Sequence, residues 1–244
     1  MKKLAGMESS QIALIDVNLS KRNFVTWNVN RPVSVGVNLQ VMRDMLKSGQ
    51  SDDFWRMYQY PDDEYIHMQI FSRRNSMAKL DFQWKSMDID MENIEAPSEL
   101  CAGEPSVVMA SWRFKELMSE FKAMGDNLEV CLNPSHLTWH VTEPGKRVID
   151  YWHDSRQDPE GSRVMISLGE NDELRGWKKT FGLKHLDIFS RGSSLAGKIK
   201  IWLFHQHPAC YHYDIEDDPT LGWARFWLAP FADSNVGGGN EGGG

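Results

Sequence analysis

With 244 residues the chain can hold one large domain or two ordinary ones, and its 41% hydrophobic and 25% charged content is that of a globular protein. No apolar run approaches the roughly 18 residues that a membrane helix needs, and the start has no signal-peptide pattern. A net charge of -7 argues, taken alone, against non-specific nucleic-acid binding, and three widely spaced cysteines (Cys101, Cys131 and Cys210) argue against a disulfide framework and for a reducing compartment.

Residues 12–19 and 24–29 alternate apolar and polar side chains and are expected as strands. Leu39, Met42, Met45 and Leu46 follow at helical spacing and stop at Gly49. Strands are expected again at 65–71 and 79–84. Residues 86–97 then interleave Asp88, Asp90, Glu92 and Glu95 with Met87, Ile89, Met91 and Ile94 and close on Pro97, which reads as a strand leaving a sheet edge to become a solvated connector. Phe114, Leu117, Met118, Phe121 and Met124 predict a second helix, with Ser111 as its N-cap and Gly125 as its stop. Strands at 128–132, 138–141, 148–152 and 164–168 precede a third helix marked by Leu183, Leu186 and Phe189 and ended by Gly192. Strands at 198–204 and 226–233 complete the pattern, the last running out to the surface through Ala229-Pro230. The ten tryptophans are expected as core and interface bulk, and the glycine-rich residues 236–244 as a flexible tail. So many strands and so few helices predict an α+β fold rather than a wound βαβ sheet.

A weak internal repeat is present. Residues 35–42 and 180–186 each lead from a strand end into a short helix. Phe114, in the helix before the second of these, precedes Leu183 by 69 residues, and the same offset from Leu39 falls ahead of Met1. The chain is therefore expected to be N-terminally truncated relative to its own repeat.

The sharpest catalytic lookalike is residues 205–212, where His205, His207, Cys210 and His212 offer ligand types that suit zinc. On a strand the first two point one way and the last two the other, so a half-exposed strand is the better reading and no metal site is expected. No phosphate loop, dinucleotide fingerprint or nucleophile signature is present. Arg43 and Lys47 lie off the apolar stripe of the first helix, and Lys184 and Arg191 off that of the last. A face built from them could hold phosphates without reading bases.

Several motifs, in order, resemble those of the proliferating cell nuclear antigen family, the eukaryotic DNA sliding clamps. Residues 7–14 are similar to the family's Met-Asp-Ser-Ser-His strand turn. Gly36-Val37-Asn38-Leu39 with Met42, Leu46 and Lys47 resembles its next strand–helix junction, Met87-Asp88-Ile89-Asp90 the start of its interdomain connector, and Leu228-Ala229-Pro230 its C-terminal strand. The resemblance runs from about Leu4 to Asp233 and implies two similar strand-rich domains with short helices lining a ring. Residues 1–86 would form the first clamp domain, lacking its N-terminal strand, helix and strand. Residues 87–100 would be the connector and 101–235 the second domain. It further implies a nuclear, non-enzymatic processivity factor without cofactor, a homotrimer joined head-to-tail around duplex DNA. DNA polymerase, the clamp loader and other clamp-binding proteins would dock by short peptides. The pocket implied is Met7, Leu14, Ile94, Ala96, Pro97, Pro208, Trp227, Leu228, Ala229 and Pro230, and the implied DNA contacts are Arg43, Lys47, Lys184 and Arg191. A subunit of the heterotrimeric checkpoint clamp, a degenerate clamp paralogue and, from outside the family, a zinc-dependent enzyme on residues 205–212 are the alternatives.

Overall fold

The computed structural model describes residues 2–7, 12–29, 33, 35–61, 63–73, 77–87, 96–134, 136–141, 148–152 and 164–231. The chain divides into two compact units, one formed by residues 1–27 with 94–244 and the other by 28–93. In chain order the elements are β1 (Lys2–Met7), β2 (Ala13–Leu19), α1 (Leu39–Lys47), β3 (Phe54–Tyr58), β4 (Tyr65–Phe71), β5 (Ala78–Lys85), β6 (Val107–Ala110), α2 (Ser111–Lys122), β7 (Asn127–Leu132), β8 (His136–Val141), β9 (Val148–Trp152), β10 (Met165–Ile166), β11 (Trp177–Gly182), α3 (Leu183–Ser190), β12 (Lys198–Trp202), β13 (Ala209–Asp214) and β14 (Gly222–Leu228). This is the strand-rich α+β architecture that the sequence pattern predicts, and none of the described helices is long and apolar enough to cross a membrane.

The larger unit has a seven-stranded antiparallel sheet in the order β1-β2-β14-β13-β12-β6-β10 and a four-stranded sheet in the order β11-β7-β8-β9. Helices α2 and α3 bury Phe114, Leu117, Met118 and Phe121 with Leu183, Leu186 and Phe189 in one apolar core. The seven-stranded sheet adds Met109, Ile199, Ile201, Tyr211 and Tyr213 to it, and the four-stranded sheet adds Leu128, Val130, Trp139 and Phe181. The ring of Tyr211 lies 5.8 Å from Phe114 and 5.9 Å from Phe189, tying sheet to helices. Each such fully buried side chain contributes about 1.5–3 kcal/mol.

The smaller unit has the sheet order β3-β4-β5, with α1 running into β3 as α3 runs into β12. Asn38 caps α1 by accepting from the amides of Gln40 and Val41. The helix nevertheless buries none of its residues, and Leu39 is 54% and Leu46 43% exposed. Among the described residues of this unit no second helix lies on that stripe, whereas α3 has α2.

Several sequence expectations need correction. Residues 24–29 form no strand. A 3₁₀ turn at Lys21–Asn23, capped by Ser20, redirects the chain, and Phe24 packs on Trp27 with Val25 in solvent. Alternation without a neighbouring strand to pair with does not make a sheet. Ser111 is the first residue of α2 and not its cap; its hydroxyl donates to the Ala196 carbonyl. The strand expected at 164–168 shrinks to Met165–Ile166, with the Ser167 amide still bonded in register to the Ser106 carbonyl beyond its end. The strand from Lys198 stops at Trp202, where the Leu203 amide turns to the Ser106 hydroxyl. Residues 205–208 lie outside any strand, and β13, which starts at Ala209, is buried along its length rather than half-exposed.

Candidate functional site

Successive strand residues face opposite sides of a sheet, so cross-strand partners define rows on each face. One row of the seven-stranded sheet runs Met7, Leu14, Trp227, Cys210, Trp202 across β1, β2, β14, β13 and β12. Leu14, Trp227, Cys210 and Trp202 are buried there with Ala96 and Cys101, and Leu100 and Phe204 pack at the margin. Ala96 and Pro97 precede a 3₁₀ turn at Ser98–Cys101, and the Trp202 indole N–H donates to the Gly103 carbonyl at 3.0 Å, which fastens the following chain to β12. Met7, at the end of β1, is 43% exposed.

The sheet thus brings Met7, Leu14 and Trp227 of the sequence-derived pocket to one row, and Ala96 packs into the same buried cluster. Pro97 is half-buried beside Ala96, and Pro208 is half-buried at the entry to β13. Leu228, one residue beyond Trp227, faces the other way and belongs to the helix-side core. Ala229 continues the strand by donating its amide to the Ile12 carbonyl at 3.0 Å, and Pro230 is half-buried after it. Ile94 and the acidic positions 88–95 lie outside the described residues. Sequence reasoning missed Trp202, Cys101 and Cys210 in this cluster. Strand parity held the signal for Trp202 and Cys210, but only once the β12–β13–β14 register is known.

A polar row lies alongside: Asp16, Arg225, His212 and Lys200 are cross-strand neighbours two residues further along. Arg225 Nε donates to His212 Nδ1 at 3.0 Å, so the other ring nitrogen, Nε2, carries the proton and donates to Asp214 Oδ1 at 2.8 Å. Lys200 Nζ donates to Asp214 Oδ2 at 2.7 Å. Burial holds the His212 pKa below its ordinary value, against the pull of Asp214. Burial also opposes ionisation of Asp214, but the hydrogen bonds from His212 and Lys200 outweigh it and hold its pKa at about 2. Both shifts predict loss of stability in acid. Below pH 6.5 the unfolded chain takes up a proton that folded His212 refuses. From about pH 4 down to 2 the unfolded Asp214 is protonated first, removing about 2 kcal/mol. Urea midpoints measured against pH should show both declines, and His212→Gln should abolish the upper one and, by removing the His212 bond to Asp214, shrink the lower.

This network and the core account for His212 and Cys210, while His205 bonds the Glu173 carbonyl through Nε2 at 2.8 Å. Among the described residues no three His, Cys, Asp or Glu side chains are grouped to hold a metal ion.

The four basic positions are all exposed on helices or at their ends. Arg43 lies 3.5 Å from Asp44 on α1, and Lys47 ends that helix. In the larger unit Lys184 is in the first turn of α3, and Arg191, just past its end, is 3.7 Å from Asp187. Asp187 also accepts from Lys122 of α2 at 2.6 Å, so one carboxylate holds two cations on this helix pair.

Residues 2–93 match the family model for the proliferating cell nuclear antigen N-terminal domain, and residues 104–231 match the model for its C-terminal domain. The chain belongs to the proliferating cell nuclear antigen family. It is 24% identical over 228 residues to the proliferating cell nuclear antigen of Chaetomium thermophilum, an alignment spanning 93% of this chain and 84% of that protein. The family is one of DNA sliding clamps and not of enzymes. In clamp terms the β2–β14 pairing has a particular meaning. It joins a strand from the region matched by the N-terminal model to the last strand of the region matched by the C-terminal one.

Proposed function

We propose that the protein is a polymerase processivity factor, a nuclear homotrimeric clamp that encircles duplex DNA. It docks DNA polymerase, the clamp loader and other replication and repair proteins by a short apolar peptide. The observation that carries the docking reading is the row Met7–Leu14–Trp227 with Ala96 and Pro97 beside it. A sheet face rich in tryptophan, with a half-exposed rim, is suited to an aliphatic or aromatic anchor. Calorimetry with a glutamine-led peptide bearing one aliphatic and two aromatic residues tests this. Pro230→Asp and Ile94→Ala should each weaken binding by about 2 kcal/mol, near thirtyfold. No heat of binding to the folded wild-type protein would remove the docking reading, and a solution mass other than three subunits would remove the homotrimer.

DNA contact in this reading engages phosphates alone, through Arg43, Lys47, Lys184 and Arg191. Lys184→Glu with Arg191→Glu should lower association with circular duplex DNA. The slope of log affinity against log salt should fall by about 1 for each lost contact, with unfolding midpoints little changed. Sequence preference or indifference to salt would count against it.

A further inference from the structure

Two thiols lie within the apolar row and take no part in the docking chemistry. Cys210 sits between Trp202 and Trp227 as their cross-strand partner on β13. Cys101 ends the 3₁₀ turn that follows Ala96 and Pro97, and the Trp202–Gly103 hydrogen bond fastens the chain two residues beyond it to the strand next to β13. Both side chains are buried in one small cluster, Cys101 at 8% and Cys210 at 0% exposure.

The two thiols also differ chemically. The hydrogen bond with Cys210, aided by the Arg225 charge, lowers the Cys101 pKa despite partial burial. Burial, and then the neighbouring Cys101, drives Cys210 well up. One thiol of the pair is thus the better nucleophile and the other a protonated neighbour.

We propose that Cys101 and Cys210 form a redox-modification site, a thiol pair that closes to a disulfide when the protein meets a peroxide. The Cys101 thiolate attacks a peroxide oxygen; the S–O bond forms, the O–O bond breaks, and hydroxide leaves and is protonated to water. Cys210 sulfur then attacks the Cys101 sulfenic acid. The S–S bond forms, the S–O bond breaks, and the departing hydroxide takes the Cys210 proton as a second water. Two thiols are oxidised and one hydrogen peroxide is reduced to two waters. In a reducing compartment such a bond is transient, a signal rather than a framework. It staples the turn after Ala96 and Pro97 onto β13 and so fixes one wall of the apolar row.

The test treats the reduced full chain with graded hydrogen peroxide, alkylates it under denaturing conditions and maps it by non-reducing peptide mass spectrometry. The expected product is a Cys101–Cys210-linked peptide, reversed by dithiothreitol, with Cys131 still open to alkylation. Cys131 serves as the control, since burial and Glu129 raise its pKa. Cross-linking across so long a loop should raise the thermal midpoint by roughly 5 °C or more. In Cys210→Ser, which keeps a hydroxyl beside Cys101 but no second sulfur, Cys101 should instead accumulate as a sulfenic acid trapped by dimedone. Overoxidation of Cys101 in the wild-type chain without a linked peptide, or links made to Cys131 or between chains, would overturn the proposal, as would two thiols that stay fully alkylatable. Each outcome is read without any docking peptide, so it stands apart from the fate of the docking reading.

Discussion

Amide hydrogens of α1 are expected to exchange on the order of 100-fold faster than those of α2 and α3. A nine-residue helix is marginal by itself, and packing of its apolar face supplies most of its stability. In α3 that face is sealed, with Leu183 and Leu186 at 0% and Phe189 at 2% exposure. In α1 the equivalent stripe of Leu39, Met42, Met45 and Leu46 has no buried member, and its supports are local ones such as the Asn38 cap, the Gln40–Asp44 hydrogen bond and the Gly49 stop. Mass-spectrometric exchange on the intact protein checks this, and mutation gives a second reading. Leu183→Ala should cost about 2–5 kcal/mol, whereas Leu46→Ala should stay within about 0.5 kcal/mol. Equal protection of the helices would mean that something covers the α1 stripe in solution.

Gly222→Ala should cost about 3 kcal/mol or more and loosen β14 from β2. Gly222 opens β14 at a φ of +125°, a region side chains rarely enter. An added Cβ would stand 2.1 Å from the Asn18 carbonyl oxygen, a backbone atom that cannot swing aside. Relief requires moving Asn18 and Leu19 of β2, and Leu19 pairs with Gly222 itself. Denaturant unfolding of the single variant reads the cost. A loss under about 1 kcal/mol would show that the strand start shifts freely.

The helices were legible because a stripe at i, i+3, i+4 and i+7 is a local signal that needs no partner. Phe114 to Met124 is the clearest case. Strands were legible where alternation met a neighbour, as at β4 and β7, and illusory where it did not, as at 24–29. Strands β1, β3 and β6 escaped because their character comes from pairing. Β6 is short and buried on both faces, so it shows no alternation at all. The apolar row across β1, β2 and β14 was legible in part. Leu14, Ala96 and Trp227, named together from motif resemblance, do share one buried cluster, whereas Leu228 lies on the other side of the sheet because the side a strand residue faces depends on register. The Cys101–Cys210 meeting was beyond reach, since it joins a turn to a strand 109 residues later.

The order in which the ribosome delivers the sheet matters too. Strands β1 and β2 are adjacent in sequence and can form a hairpin early, yet β2 then waits for β14. Ala13 pairs with Leu228, 215 residues further on. At about 5–20 residues per second that interval is on the order of 10–40 s. For that time one edge of β2, with Leu14 and Ile15, is open to any strand that passes, including the same edge on a neighbouring nascent chain. Crowded polysomes are therefore the setting in which this topology is most exposed to mispairing, and a chaperone that shields the first hairpin would act before β14 is made.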